Sequence, residues 1–99
     1  MRQASEIRRL TKKPNIIAER LRLARRLHTP PMTMEATSAR VLELSGYSIT
    51  KTMLIRIENH QRSVYDFEVL ALAEALDVDV RFLLGLIDEP RARPDSEPS

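Results

Sequence analysis

The sequence contains no cysteine, two glycines and two histidines in 99 residues. Without thiols there is no disulfide framework and no thiolate metal site. Their absence fits a reducing cytoplasm, where the protein is expected. So few glycines and histidines leave little material for a phosphate-cradling loop, a metal site or a bound cofactor, and none is expected. No apolar run approaches the ~20 residues of a membrane span. The opening "MRQASEIRRLTKKP" is charged and has no apolar stretch behind it, so it is not read as a secretory signal. No segment alternates convincingly as a strand, and there is no internal repeat. The length allows one domain.

What the chain does have is polarised charge. The net charge is +2. Residues 1–62 carry thirteen Lys/Arg against five Asp/Glu, a net +8. Residues 63–99 carry three against nine, a net −6. A cationic half suits a polyanion; the plain alternative is a solvated surface with a gradient along the chain.

Helical spacing organises the middle of the chain. Residues 1–13 are basic, have little apolar material and read as a flexible arm; 14–87 read as the domain; 88–99, with three prolines, read as a disordered tail. In "NIIAERLRLARRLH", Ile17, Leu21, Ala24 and His28 share one helix face, widened by Ile16, Leu23 and Leu27. Asn15 is the expected cap, and Arg22, Arg25 and Arg26 the expected outer side. "TPP" ends that helix. Thr33 caps a second, "MEATSARVLELSG", with Ala39, Leu42 and either Ala36 or Val41 expected inward and Gly46 at the left-handed stop.

Thr50 caps a third helix from Lys51 to about Asn59. At 100° per residue, Met53, Leu54 and Ile57 cluster on one side. Thr52, Ile55 and Asn59 cluster on the other, with Lys51 and Arg56 at the margins. Ile55 is apolar where solvent is expected. A fourth helix, "DFEVLALAEAL", capped by Asp66, is apolar nearly all round and so expected to be buried on most sides. A fifth, "VRFLLGLI", is capped by Asp79. The fold class expected is all-α, with the second and third helices in a helix-turn-helix arrangement.

The stretch "GYSITKTMLIRIENHQRSVYDFEVLALAEALDVDVRFLL" resembles the Cro/repressor-type helix-turn-helix family, also called the XRE family. The matching residues are Thr50, Leu54, Ile57, Glu58, Asn59 and Arg62, then Leu70, Ala71, Leu72, Ala73, Ala75, Leu76, Val78 and Leu83. The likeness runs from about Asn15 to Leu86 and implies a five-helix lambda-repressor-like domain. Two departures stand out. Thr33-Met34 or Met34-Glu35 stands in place of the Thr-Gln that often opens the second helix. His60 and Gln61 replace the usual Gly and Lys, so His60 is expected to adopt a left-handed conformation.

What the resemblance implies is double-stranded DNA binding by a transcriptional regulator, as a repressor acting by operator occupancy. One helix fits the major groove, with its N-terminal residues at the base edges. Lys51, Thr52, Ile55, Arg56 and Asn59 are the expected base-reading set, Ile55 against a thymine methyl. Thr33, Thr50, Gln61, Arg62, Arg22 and Arg25 are the expected phosphate contacts. Glu58 in this family is architectural. A small domain reads few base pairs, so a homodimer on a two-fold site is expected, with Phe82, Leu84, Leu86 and Ile87 at the dimer contact. No small-molecule effector and no membrane partner is expected.

Two rivals remain. One is an antitoxin that binds DNA through the same domain and also neutralises a toxin protein. The other is a protein-interaction module without DNA binding, docking through Ile55 and the acidic face. No catalytic set emerges: Ser38, His28 and Glu35 have nothing to hold them at hydrogen-bonding distance, so an enzyme is not expected.

Overall fold

The computed structural model describes residues 13–91. These form five helices and no strand: α1 Ala18–Leu27, α2 Met34–Ser45, α3 Lys51–Glu58, α4 Asp66–Ala75 and α5 Val80–Leu83. Residues 1–12, which make up nearly all of the expected arm, and 92–99 lie outside the described residues. No helix among the described residues is long and apolar enough to cross a membrane.

One core joins the helices. Ile17, Leu21 and Ala24 meet Val41, Ile49, Leu54, Ile57, Leu72, Leu76, Phe82 and Leu83, all essentially without solvent contact. Each large apolar side chain contributes roughly 1.5–3 kcal/mol by leaving water. α2 packs against α3 and α4, and α1 against α3 and α5. Thus α3 is held from behind by α1 and α2, and its remaining side faces out.

Several expectations about the helices need correction. Asn15 does not cap α1 from the N-cap position, which is Ile17. It is buried, accepts a hydrogen bond from the Ile17 amide at 3.0 Å, and donates to the carbonyls of Ile57 (3.0 Å) and Arg62 (2.9 Å). Ile16, Leu23 and Leu27 stay exposed rather than widening the core face. Arg25 turns inward rather than outward.

On α2 the inward stripe is Met34, Thr37, Ser38 and Val41, whereas Ala39 and Leu42 are exposed. Short polar side chains can face in because each finds a nearby carbonyl. Thr37 Oγ1 donates to the Thr33 carbonyl at 2.8 Å, and Ser38 Oγ to the Ile49 carbonyl at 2.6 Å. The second bond ties α2 to the turn that leads into α3.

α4 begins at Asp66 with Tyr65 as its N-cap. It is buried on most sides, as expected, through Glu68, Val69, Ala71, Leu72, Ala73 and Ala75; Asp66, Phe67, Leu70 and Glu74 form one arc that faces solvent. α5 is shorter than expected, and the chain turns at Gly85 (φ +76°). The expected boundary at residue 87 also moves. Pro90 accepts a hydrogen bond from the Asp79 amide at 2.7 Å, Arg20 pairs with Asp88 at 2.9 Å, and Arg91 pairs with Asp77 at 2.8 Å. Residues 88–91 are therefore a strap across the domain, not free tail.

Left-handed backbone marks the helix ends. Gly46 (φ +73°) stops α2; His60 (φ +59°) and Asp77 (φ +55°) take the same conformation with side chains attached. A Cβ at Gly46 would meet no atom within 4 Å. Gly46→Ala is therefore expected to cost only the backbone strain, about 1 kcal/mol, and Gly46→Asn less. Urea midpoints with unchanged slope would report both losses.

Candidate nucleic-acid interface

The geometry of α3 starts with its cap. Thr50 Oγ1 accepts from the Met53 amide at 3.2 Å and fixes the first turn. From there the helix divides cleanly. Leu54, Ile57 and Glu58 are buried and Met53 is half-buried. Lys51, Thr52, Ile55, Arg56 and Asn59 are all exposed on the opposite arc, Ile55 at 37%. The structure thus brings the five expected base-reading residues onto one solvent-facing surface.

α2 adds a second helix start beside it. Thr33 Oγ1 accepts from the Ala36 amide at 3.0 Å. Lys51 Nζ lies 3.5 Å from Glu35 Oε1, so the first turns of α2 and α3 are neighbours. That pair is exposed on both sides, so it contributes little stability and is easily exchanged. Gln61 is exposed just beyond α3, where its backbone amide donates to the Arg56 carbonyl at 2.8 Å and its carbonyl accepts from Arg56 Nη2 at 3.4 Å.

Beneath this surface lies a buried carboxylate. Glu58 is the last residue of α3, and its side chain is 1% exposed. Arg25 reaches it with two bonds, Nε at 2.6 Å and Nη2 at 2.8 Å, and Arg22 Nε lies at 3.3 Å. Arg25 also donates to the Met32 carbonyl at 3.0 Å. Glu58 raises the Arg25 guanidinium above its ordinary value by hydrogen bonding, against the opposing effect of burial.

A parallel arrangement serves the next loop. Glu68 is fully buried and accepts from Arg62 at 3.0 and 3.0 Å, Tyr47 Oη at 2.8 Å and the Tyr65 amide at 2.9 Å. Burial alone would raise its carboxyl. The bonds from Arg62, the Tyr65 amide and Tyr47 outweigh burial and hold it below its ordinary 4.5.

These clamps correct the expected phosphate set. The Arg25 and Arg62 side chains are 14% and 19% exposed, and both are committed to buried carboxylates. They position α3 and the loop after it rather than facing a ligand. Arg22 is half-exposed, with long contacts to Glu58 and, at 3.5 Å, to Asn59 Oδ1. Thr33, Thr50 and Gln61 are exposed.

The expected dimer contact changes as well. Phe82 is 1% exposed and carries the Arg20 guanidinium 4.6 Å from its ring centre, so it belongs to the core. Leu84 and Ile87 are half-buried against that core, and Leu86 alone is well exposed. The residues that escaped sequence reasoning are Asn15, Tyr47 and Glu68. Asn15 looked like a helix cap, and nothing local in "GYSI" or "DFEV" announces a bond across twenty-one positions.

No group of three or more His, Cys, Asp or Glu among the described residues could hold a metal ion. No protein-family model, curated protein or solved structure matches the chain.

Three outcomes test the clamps. Glu58→Ala is expected to cost about 3 kcal/mol, because it strands the buried Arg25 guanidinium and takes a partner from the half-exposed Arg22. A carboxyl depressed in the folded state stabilises the fold above its ordinary value and loses that contribution as pH falls through the folded one. Resistance to urea is therefore expected to drop on acidification below 4.5. Glu68→Gln, less stable by about 2 kcal/mol at neutral pH, should converge on the parent as pH falls.

Proposed function

We propose that the protein is a sequence-specific double-stranded-DNA-binding transcriptional regulator of the Cro/repressor-type helix-turn-helix class, acting by operator occupancy. The observation that carries this reading is the outer arc of α3. It presents Lys51, Thr52, Ile55, Arg56 and Asn59 to solvent, while Leu54, Ile57 and Glu58 anchor it beneath. A helix of this diameter fits the major groove. Lys51 and Arg56 can donate to guanine acceptors, Asn59 can pair with adenine, and the outward Ile55 suits a thymine methyl.

The neighbouring helix starts support the phosphate side. Thr33 and Thr50 open α2 and α3, whose first turns are neighbours, and helix N-termini favour anions. Arg22 and Gln61 complete the set. Arg25 and Arg62 are engaged internally and leave the phosphate set, and binding through the remaining contacts should weaken as salt rises. One such surface reads only a few base pairs, so the reading includes a homodimer on a two-fold site. A second reading, a module that binds protein instead, draws support from the exposed aromatic side chains beside α4.

Mobility shift on random-sequence duplexes tests the first reading. Retardation is expected at low salt and should weaken as salt rises. Lys51→Ala with Arg56→Ala should lower affinity about tenfold or more with the fold intact. Glu35→Gln, which frees Lys51 and removes a negative charge from the surface, should raise it by about a fewfold. No retardation at low salt, or retardation indifferent to the double variant, would sink the assignment.

A further inference from the structure

We propose that the outer face of α1 is the contact between two copies of this chain, packed antiparallel about a two-fold axis beside Leu23. Ile16, Leu23 and Leu27 stay outside the core, at 40, 41 and 51% exposure. Leu23 and Leu27 are one turn apart on α1, and Glu19 lies one turn before Leu23. Ile16 and Glu19 line the same surface cavity at the helix start. The three apolar side chains therefore run along one exposed face. A stripe of this kind on a small domain marks an interaction surface.

Charge selects the occupant. Arg20 is taken up by the Ile87 carbonyl and Asp88, Arg22 turns to Glu58 and Asn59, and Arg25 to Glu58. Of the charged side chains on α1 that leaves Glu19 and Arg26, both exposed and neither ion-paired among the described residues. They flank Leu23 with opposite signs, at a spacing beyond the three or four residues over which side chains of one helix pair. A partner protein of either charge would gain one pair and meet one repulsion. A parallel second copy would set like charges together at both ends. An antiparallel second copy satisfies both.

The axis passes midway between Glu19 and Arg26, which is beside Leu23. Glu19 then faces Arg26 of the partner subunit, and Arg26 faces Glu19 of the partner subunit. The two Leu23 side chains meet at the axis, and Leu27 falls near Ile16 of the partner subunit. Each chain supplies both halves of the same complement, as an isologous contact requires. One helix of ten residues buries less than a standard interface, so association is weak, with a dissociation constant on the order of 100 µM. The contact uses none of the residues on the outer arc of α3, so it does not depend on DNA reading. It supplies a dimer surface in place of Phe82, which is internal.

Sedimentation equilibrium of the full chain without DNA tests the contact, from about 10 µM to about 1 mM. The average mass of the parent is expected to climb toward that of two chains, and less so at raised salt. Leu23→Asp, on an exposed position, should weaken association about tenfold or more with the helical signal unchanged. Glu19→Arg alone and Arg26→Glu alone should each stay monomeric, because each sets like charges together at both ends. Mixed in equal amounts, these two variants should associate, since every facing pair is then of opposite sign. A parent that remains monomeric over the whole range would overturn the proposal. So would single variants that associate as the parent does, or a mixture that stays monomeric. Loss of self-association with DNA retardation intact would fault this contact alone, and the reverse would fault the DNA reading alone.

Discussion

The fold around α3 depends on one buried carboxylate. Glu58 closes the helix at its negative end, where another negative charge is unfavourable. Two guanidiniums from α1 offset both that field and the loss of water. Arg25 does more than neutralise, since its planar fork bonds both oxygens and also holds the Met32 carbonyl. The result fixes α3 in rotation as well as position. Asn15 adds a second constraint at the same end by binding the Ile57 carbonyl and the loop beyond it. A helix of eight residues is too short to hold its own orientation, so these contacts decide which arc faces out.

The same principle sorts the arginines. Half of the chain looks cationic, yet its cations do different work. Arg25 and Arg62 sit on buried acids, and Arg20 covers the Phe82 ring and holds the strap at Asp88. Lys51 and Arg56 stay exposed on the outer arc of α3. Lys51 and Arg56 thus place positive charge on the outer arc of α3, beside the starts of two helices. The acidic half divides likewise: Glu68 organises the interior, while Asp66 and Glu74 border the exposed aromatics.

Much of the architecture was legible in the chain. Five helices, the Thr33 and Thr50 caps, the left-handed residues at 46 and 60 and the two arcs of α3 all follow from local signals. Spacing, short polar caps and glycine act over a few residues, so a local pattern suffices to read them. Leu54 and Ile57 are inward and Ile55 outward for the same reason.

Long-range pairing was beyond such reading. Whether an arginine meets water or a carboxylate thirty-three positions away depends on how the helices cross, and Arg25 looks the same in either case. The apolar surplus of α4 promised burial and most of the helix is buried, but among the described residues no helix covers Phe67 and Leu70. Composition and periodicity alone determined that the chain is helical, polarised and punctuated by caps, because those properties are set within a turn or two. Only the tertiary structure decided which charges are internal and which aromatics are left in water, because both depend on what happens to lie opposite.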